Sequence, residues 1–419
     1  MYHKKFLTLL SGAALVALTP QAYAAGFYIQ EQSVSGLGNA YAGQVAKSRD
    51  SSVVYYNPAG MARLKQNSAN VGVHIIAPSA NITDTGTTNA FGAVGGGSGN
   101  PYDPTPVPNF NMSYEAVEDT LWLGLAVSAP FGLANDYGNE WFGRFDSTAT
   151  ELTTYDIQPS IAYKINEKLS IGGGVNLQHA SAKLESVINQ GAGDLNSILD
   201  GKDNISFGYN FGMMYEPMPG TVLGAHYRSS IHHSLKGDVT SRNATTGAIV
   251  PGVTYDATVQ LNLPEIVQLG IDQKINDKLS VQAGATWFGW NSFNEIRVVD
   301  SSGARADNVT TQNYQTTWAF SVGGEYELNE DWTLRAGYQY DETPTTDEFR
   351  TTRTPDGDRH WFATGATYNI NDDLSLDMAA VYISVSEENI NLTRNSLNTV
   401  SAQSEQDIGI ISVGLNYKF

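Results

Sequence analysis

The chain has 419 residues, no cysteine and a formal charge of −19 at pH 7. The lack of cysteine excludes a disulfide framework and thiol chemistry, and the acidic balance makes nucleic acid an unsuitable partner. No run of 18 apolar residues follows the N-terminal segment, which excludes a helical membrane span. Abundant Gly, Tyr, Ser, Thr and Asn without helical periodicity instead indicate a β-rich protein.

In chain order, Lys4 and Lys5 precede an apolar run over residues 6–18, and Ala22-Tyr23-Ala24 offers a small-x-small cleavage site. Residues 1–24 therefore read as a secretory signal peptide. Residues 25–66 follow, rich in glycine and small side chains, with apolar patches such as "VVYYNPAGMARL". Helical turns and loops are expected there, and those patches need a burial site.

From residue 67 onward, fourteen strands are predicted: 68–83, 107–117, 120–130, 149–165, 168–189, 203–217, 220–240, 253–275, 278–298, 308–327, 331–343, 359–370, 373–392 and 403–419. One phrase recurs between them: "YKINEKLSIGGG", "QKINDKLSVQAG", "YELNEDWTLRAG" and "YNINDDLSLDMA". Each copy reads as strand, tight polar turn, strand, with an Asn and acidic pair suited to bend the backbone. The irregular spacing excludes a solenoid. "YEAVEDTLW" and "YEPMPGTVL" are looser versions. Longer polar connections alternate with these turns at 84–106, 131–148, 190–202, 241–252, 299–307, 344–358 and 393–402. Short turns at one end and long loops at the other are the pattern of an outer-membrane barrel. An even strand count puts both chain ends on the short-turn, periplasmic side.

In the last strand Ile411, Val413, Leu415, Tyr417 and Phe419 alternate with Ile410, Ser412, Gly414, Asn416 and Lys418, giving one lipid face and one lumen face. Closure satisfies every backbone group, as hydrocarbon requires. The fold class is thus all-β: a 14-stranded antiparallel transmembrane β-barrel spanning 67–419, with 25–66 as a plug, or hatch, inside it. A secreted β-sandwich or propeller would explain neither the turn asymmetry nor the terminal phenylalanine.

Pro130 falls where the third strand should still be climbing, and Gly132 follows; proline withholds a ladder donor and glycine tolerates a kink. Pro104, Pro106 and Pro108 open the neighbouring strand. Two adjacent segments share a weakened seam, which on these residues alone is either a lateral opening or the end of a short strand. Beyond it, Phe131, Leu133, Tyr137, Trp141, Phe142 and Phe145 crowd one connection. They either pack together or form a greasy capture groove.

"AGF…SGLGNAYAG…NPAGM", "YRSSI", "LNLPE", "TWFGWNSF" and "PDGDRHWFATGATY", in this order, resemble the FadL-type long-chain fatty acid transporters of Gram-negative outer membranes. The resemblance implies passive inward movement of a long-chain fatty acid or another hydrophobic small molecule, with no cofactor and no catalysis. It implies an N-terminal gate in which Phe27 reaches into the pocket and Asn57, Pro58 and Ala59 form the hatch tripeptide. The lateral opening then falls on Thr105, Ala129, Pro130, Phe131 and Gly132. Phe27, Leu133, Trp141, Phe142, Phe145 and Leu184 are the expected pocket and groove residues. Relatives meet the carboxylate with basic residues, yet here Ser186 and Thr310 fall at those places. Either Lys183 or Arg228 takes the role, or the cargo is a less acidic hydrocarbon or aromatic compound. Outer-membrane lipid and lipopolysaccharide surround such a barrel, and phage could use it as a receptor. An adhesin and a general porin remain as rival readings. No metal site is expected: His232 and His233 are adjacent on a strand and face opposite sides.

Overall fold

The computed structural model describes residues 26–64, 66–188, 193–250, 253–394 and 398–419; the segment read as a signal peptide lies outside them. Fourteen antiparallel strands form a closed barrel. They are Ser68–Asp84; Thr105–Val117; Leu121–Ser128 with Gly132–Asp136; Ala149–Asn166; Leu169–Ile188; Leu195–Met218; and Thr221–Arg228 with Ile231–Asn243. The others are Tyr255–Leu263 with Ile266–Lys274; Leu279–Phe288 with Glu295–Asp300; Asn308–Thr311 with Thr317–Glu327; Trp332–Asp341; Arg359–Asn369; Leu374–Arg394; and Asn398–Lys418. Closure joins the first strand to the last, from Ser68↔Lys418 to Asp84↔Ala402.

The recurrent phrase is one turn built four times. Asn166 Oδ1 accepts from the amides of Lys168 and Leu169 at 2.9 and 3.0 Å. Asn276 does the same for Lys278 and Leu279, Asn329 for Asp331 and Trp332, and Asn371 for Asp373 and Leu374. The two looser copies use a glutamate instead. Glu115 Oε1 accepts from Asp119 N, and Glu216 Oε1 from Gly220 N, each just where the backbone enters positive φ. Phe419 N donates to Asn67 O and Lys418 N to Asp373 O, so both ends of the wall lie at the short-turn end.

Outside, the wall is apolar: Leu123, Ile161, Phe207, Phe211, Phe320, Phe362, Val413 and Leu415 are all exposed. Inside it is polar, with Asn70, Asn109, Asn111, Gln158, Asn176 and Asn210 buried. This is the inverse of a water-soluble protein and the arrangement a membrane demands.

Four expectations need correction. The third strand does not end at residue 130 but resumes as Gly132–Asp136, paired with the fourth strand. Most of 190–202 and 393–402 is not loop; the sixth strand starts at Leu195 and the last at Asn398. Their polar sequence hides ribbons that leave the membrane yet keep their ladders, because an unpaired backbone gains nothing by fraying early. The seventh to tenth strands, expected to be continuous, are each interrupted. In the eighth the break holds Pro264, which cannot donate to the ladder.

Residues 26–64 touch every strand of the wall. Val34 meets Gly72 and Gly414, Ser51 donates to Asn111 O, and Met61 meets Gly124. Val54 O accepts from Gln158, and Asn57 meets Gly212. Gly43 lies against Ile271 and Gly284, Asn39 against Gly323 and Gly337, and Gly38 against Gly365. Val45, Pro58 and Val34–Leu37 complete the circuit at Gly224, Gly172 and the thirteenth strand. A segment that touches all members of a closed ring lies inside it. Eleven of the fourteen strands meet it with a glycine. A methyl group at Gly337 would stand 2.1 Å from Asn39 O, and one at Gly224 2.1 Å from Val45 O. Backbone therefore packs directly on backbone, which only glycine permits.

Candidate ligand cavity and wall opening

The ladder between the second and third strands runs from Val117↔Leu121 to Phe110↔Val127 and stops. Above it, residues 105–109 pair only with the first strand, while Gly132–Asp136 pair only with the fourth. Asp136 N donates to Pro101 O at 2.8 Å and closes the gap at its top. The result is a window between Phe110↔Val127 and the bond from Asp136 to Pro101, at most about 30 Å along the chain at ~3.3 Å per residue. Thr105 stands on one side of it, and Ala129, Pro130 and Phe131 on the other.

The start of the inner segment fills this window from within. Ile29 N donates to Pro130 O at 2.8 Å, Gly132 N donates to Phe27 O at 2.9 Å, and Tyr28 bridges Phe131. Gln32 Nε2 adds a bond to Ala129 O at 3.0 Å. Residues 27–29 thus bond the stretch of the third strand that has no partner on the second.

The Phe27 side chain points away from that bridge into an aromatic cage. Its ring centroid lies 4.8 Å from Trp290, 5.1 Å from Phe293, 6.1 Å from Phe131 and 6.4 Å from Tyr314. Trp290 and Phe293 come from the break in the ninth strand and Tyr314 from the break in the tenth, so both interruptions turn aromatic groups inward. Phe27 also lines a cavity of about 60 Å³ with Leu133, Leu152, Leu184, Leu261 and Phe293. A cavity of this size holds only a few waters. Leu235, Val259 and Ile296 extend its apolar wall, and Thr150, Glu151, Gln260, Gln312, Arg353 and Thr354 are its polar members. A wider depression of about 790 Å³ opens elsewhere on the barrel, at Val281, Val322 and Phe362, whose side chains are exposed on the outer face.

Of the expected pocket residues, the structure brings Phe27, Leu133 and Leu184 together at this cavity. Trp141, Phe142 and Phe145 do not line it. Trp141 stacks on Tyr137 at 3.9 Å and lies 4.9 Å from Phe142, both tryptophan and Phe142 being buried. Phe145 is half-buried under the Arg144 guanidinium, 4.9 Å from its ring. Lys183 pairs with Glu185, and Arg228 donates to Tyr55 O and Gln158 Oε1 while lying over the Tyr55 ring; neither lines the cavity.

The cation that does line it, Arg353, escaped the sequence reading. It sits on the connection after the eleventh strand, which folds inward to the opposite side of the mouth. Its guanidinium donates to Asp146 O, Ser147 Oγ, Ala149 O, Thr150 Oγ1 and Glu185 O at 3.0–3.1 Å. Thr352 bonds Asp146 and Asn135 bonds Arg353 O, so this connection roofs the cavity.

Asn57 Oδ1 accepts from Ala59 N and caps the turn at Pro58–Arg63, as its N-cap position requires. Its Nδ2 is shared among Val45 O, Met213 O and Ala225 O at 2.7–3.3 Å, the last two on the wall. Further round the wall, on the eighth and tenth strands, Arg49 bonds Asp272 at 2.9 Å and Glu325 at 2.7 Å, with Lys47 and Arg335 also on Glu325. Glu31 is fully buried, neither carboxylate oxygen has a partner at full hydrogen-bond geometry among the described residues, and burial pushes its pKa up to about 8.

Known proteins share this architecture. An outer membrane protein transport protein family, described as OMPP1/FadL/TodX, matches residues 15–419. Outer membrane protein P1 of Haemophilus influenzae is 29% identical over 99% of this chain and all of its own. The long-chain fatty acid transport protein of Escherichia coli O6:H1 is 27% identical over the whole of both chains. Among solved structures, a Pseudomonas aeruginosa FadL homologue superposes with a TM-score of 0.88 at 24% identity, covering 94% of this chain and all of its own. The P. putida toluene transporter TodX reaches 0.70 at 18% identity, covering 91% and 98%. The chain therefore belongs to the OMPP1/FadL/TodX family of Gram-negative outer-membrane transport proteins.

Proposed function

We propose that the protein takes up long-chain fatty acids or similar hydrophobic molecules without an energy source, and releases them sideways through the window into the membrane. One observation carries this reading. The single described place where the second and third strands part is occupied from within by residues 27–29, and the first of these side chains caps the apolar cavity. An apolar chain gains nothing in a water-filled pore, whereas burial is worth ~25 cal/mol per Å². A route from cavity to window keeps it out of water throughout.

The roof around Arg353 meets cargo first, Tyr137, Trp141 and Phe142 of the 131–148 connection being packed on one another. The cavity is too small for a long chain until Phe27 leaves its cage. Since Phe27 O also holds Gly132 N, withdrawing residue 27 loosens the inner bridge and uncovers the window in one movement. Residues 57–59 and the Arg49–Glu325 cluster anchor the rest of the hatch, so the change stays local. The reading makes the protein a transporter and not an enzyme. A hydrocarbon or aromatic cargo is the second reading, favoured by the prior engagement of Arg353.

The test is uptake of labelled oleate and toluene by cells lacking their own transporters. The double variant Pro130→Val with Gly132→Val should insert and fold, as judged by heat-modifiable migration on gels, yet lose most uptake. Unimpaired uptake by a folded variant would refute lateral release.

A further inference from the structure

We propose that Gln312 is the polar recognition group of the cavity, and that it selects a hydrophobic chain bearing an uncharged oxygen over one bearing a carboxylate. The proposal rests on the cavity being the cargo site. Gln312 is 2% exposed and lies in the break of the tenth strand, where its backbone N donates to Asn294 O at 2.8 Å. That bond fixes its backbone beside Phe293, and its side chain lines the cavity. Among the described residues its Nε2 has no hydrogen-bond partner. A buried amide donor without a partner is costly unless something else satisfies it. The lining combines Phe27, Leu152, Leu261 and Phe293 with the polar Thr150, Glu151, Gln260, Arg353 and Thr354, and none of these polar groups accepts from Gln312 Nε2, so the missing acceptor is one that cargo brings.

The charges around the cavity decide what that acceptor is. Arg353 already spends its guanidinium on five protein oxygens, and turning it toward a ligand would unroof the cavity. Glu151 is the other charged group of the lining and would repel an anion. One neutral N–H cannot offset the burial of a carboxylate, but it suits an alcohol, aldehyde or ester oxygen.

The experiment uses the full-length protein in a neutral detergent at pH 8, with dodecane, 1-dodecanol, methyl laurate and laurate as probes and tryptophan fluorescence as the readout. The wild type should prefer the alcohol and ester to dodecane by roughly three- to tenfold, the worth of one neutral hydrogen bond, and laurate should bind more weakly than the ester. Gln312→Leu should bind dodecane at least as well as the wild type and lose the oxygen preference; comparing ratios between the two proteins cancels partition into detergent. Gln312→Glu, which keeps the shape and reverses the hydrogen-bond sense at this pH, should bind the ester worst. Laurate binding more tightly than methyl laurate, or Gln312→Leu keeping the wild-type ratio, would overturn the assignment. Failure of every probe, dodecane included, would overturn the cavity reading along with it.

Discussion

Phe27→Ala separates a gate from a simple contact residue. In the structure the ring touches four aromatic partners, each such pair being worth about 0.5–1.5 kcal/mol beyond its burial. A displaced ring recovers part of this elsewhere, so the closed arrangement is favoured by ~2 kcal/mol at the low end, or about 30-fold. A ligand that must evict the ring binds more weakly by that factor, because only the open fraction is competent. Removing the ring removes the penalty, while the Phe27 carbonyl and its bond to Gly132 persist. Titration of the purified variant with 1-dodecanol should therefore give an affinity at least tenfold higher than the wild type. If Phe27 instead forms a wall of the occupied site, truncation removes contacts and affinity falls. An equal or weaker affinity in a folded variant would refute the gate.

Asn57→Ala removes an amide that serves three carbonyls and a cap, and should loosen the hatch by a few kcal/mol; limited proteolysis at residues 45–60 reads this, while the barrel still migrates as a folded species. Glu325→Gln leaves Arg49, Lys47 and Arg335 with less countercharge in a buried cluster, where loss of one partner costs ~3–5 kcal/mol. Hydrogen exchange in residues 44–52 should rise, whereas exchange in the fourth and fifth strands should not. Glu31 has a raised pKa in the folded protein, so the folded state holds a proton that the unfolded chain releases near the ordinary glutamate value. Stability from this group is full at pH 4.5 and declines as pH rises toward about 8. In unfolding melts, Glu31→Gln should remove that decline, and an unchanged slope between pH 5 and 8.5 would show that Glu31 does not titrate there.

Much of the wall was legible because its signals are local. An asparagine oxygen bonding amides two and three residues ahead leaves the same phrase at 166, 276, 329 and 371, and alternation marks residues 410–419. The seam was legible for the same reason: prolines at 104, 106, 108 and 130 subtract ladder donors wherever the chain goes next. Arg353 was not, since its acceptors lie some two hundred residues away and are mostly carbonyls, which carry no side-chain identity. Nor was the cage around Phe27: Trp290, Phe293 and Tyr314 stood inside segments read as continuous strand, and the interruptions that turn them inward have no proline to announce them. The wall glycines were visible in number, but their common purpose needed the ring closed around the segment they accommodate.

Close contact with every strand, backbone on backbone at Gly172, Gly224, Gly323, Gly337 and Gly365, also constrains how the molecule is made. Residues 26–64 contact the earliest and the latest strands alike, and the seal between Ser68 and Lys418 forms only after the last strand has arrived. A cork packed this closely, with no room for even a methyl group at Gly224 or Gly337, cannot be threaded into a finished cylinder. It must already be seated when the sheet rolls up, so the N-terminus serves as the mandrel on which the barrel is wound.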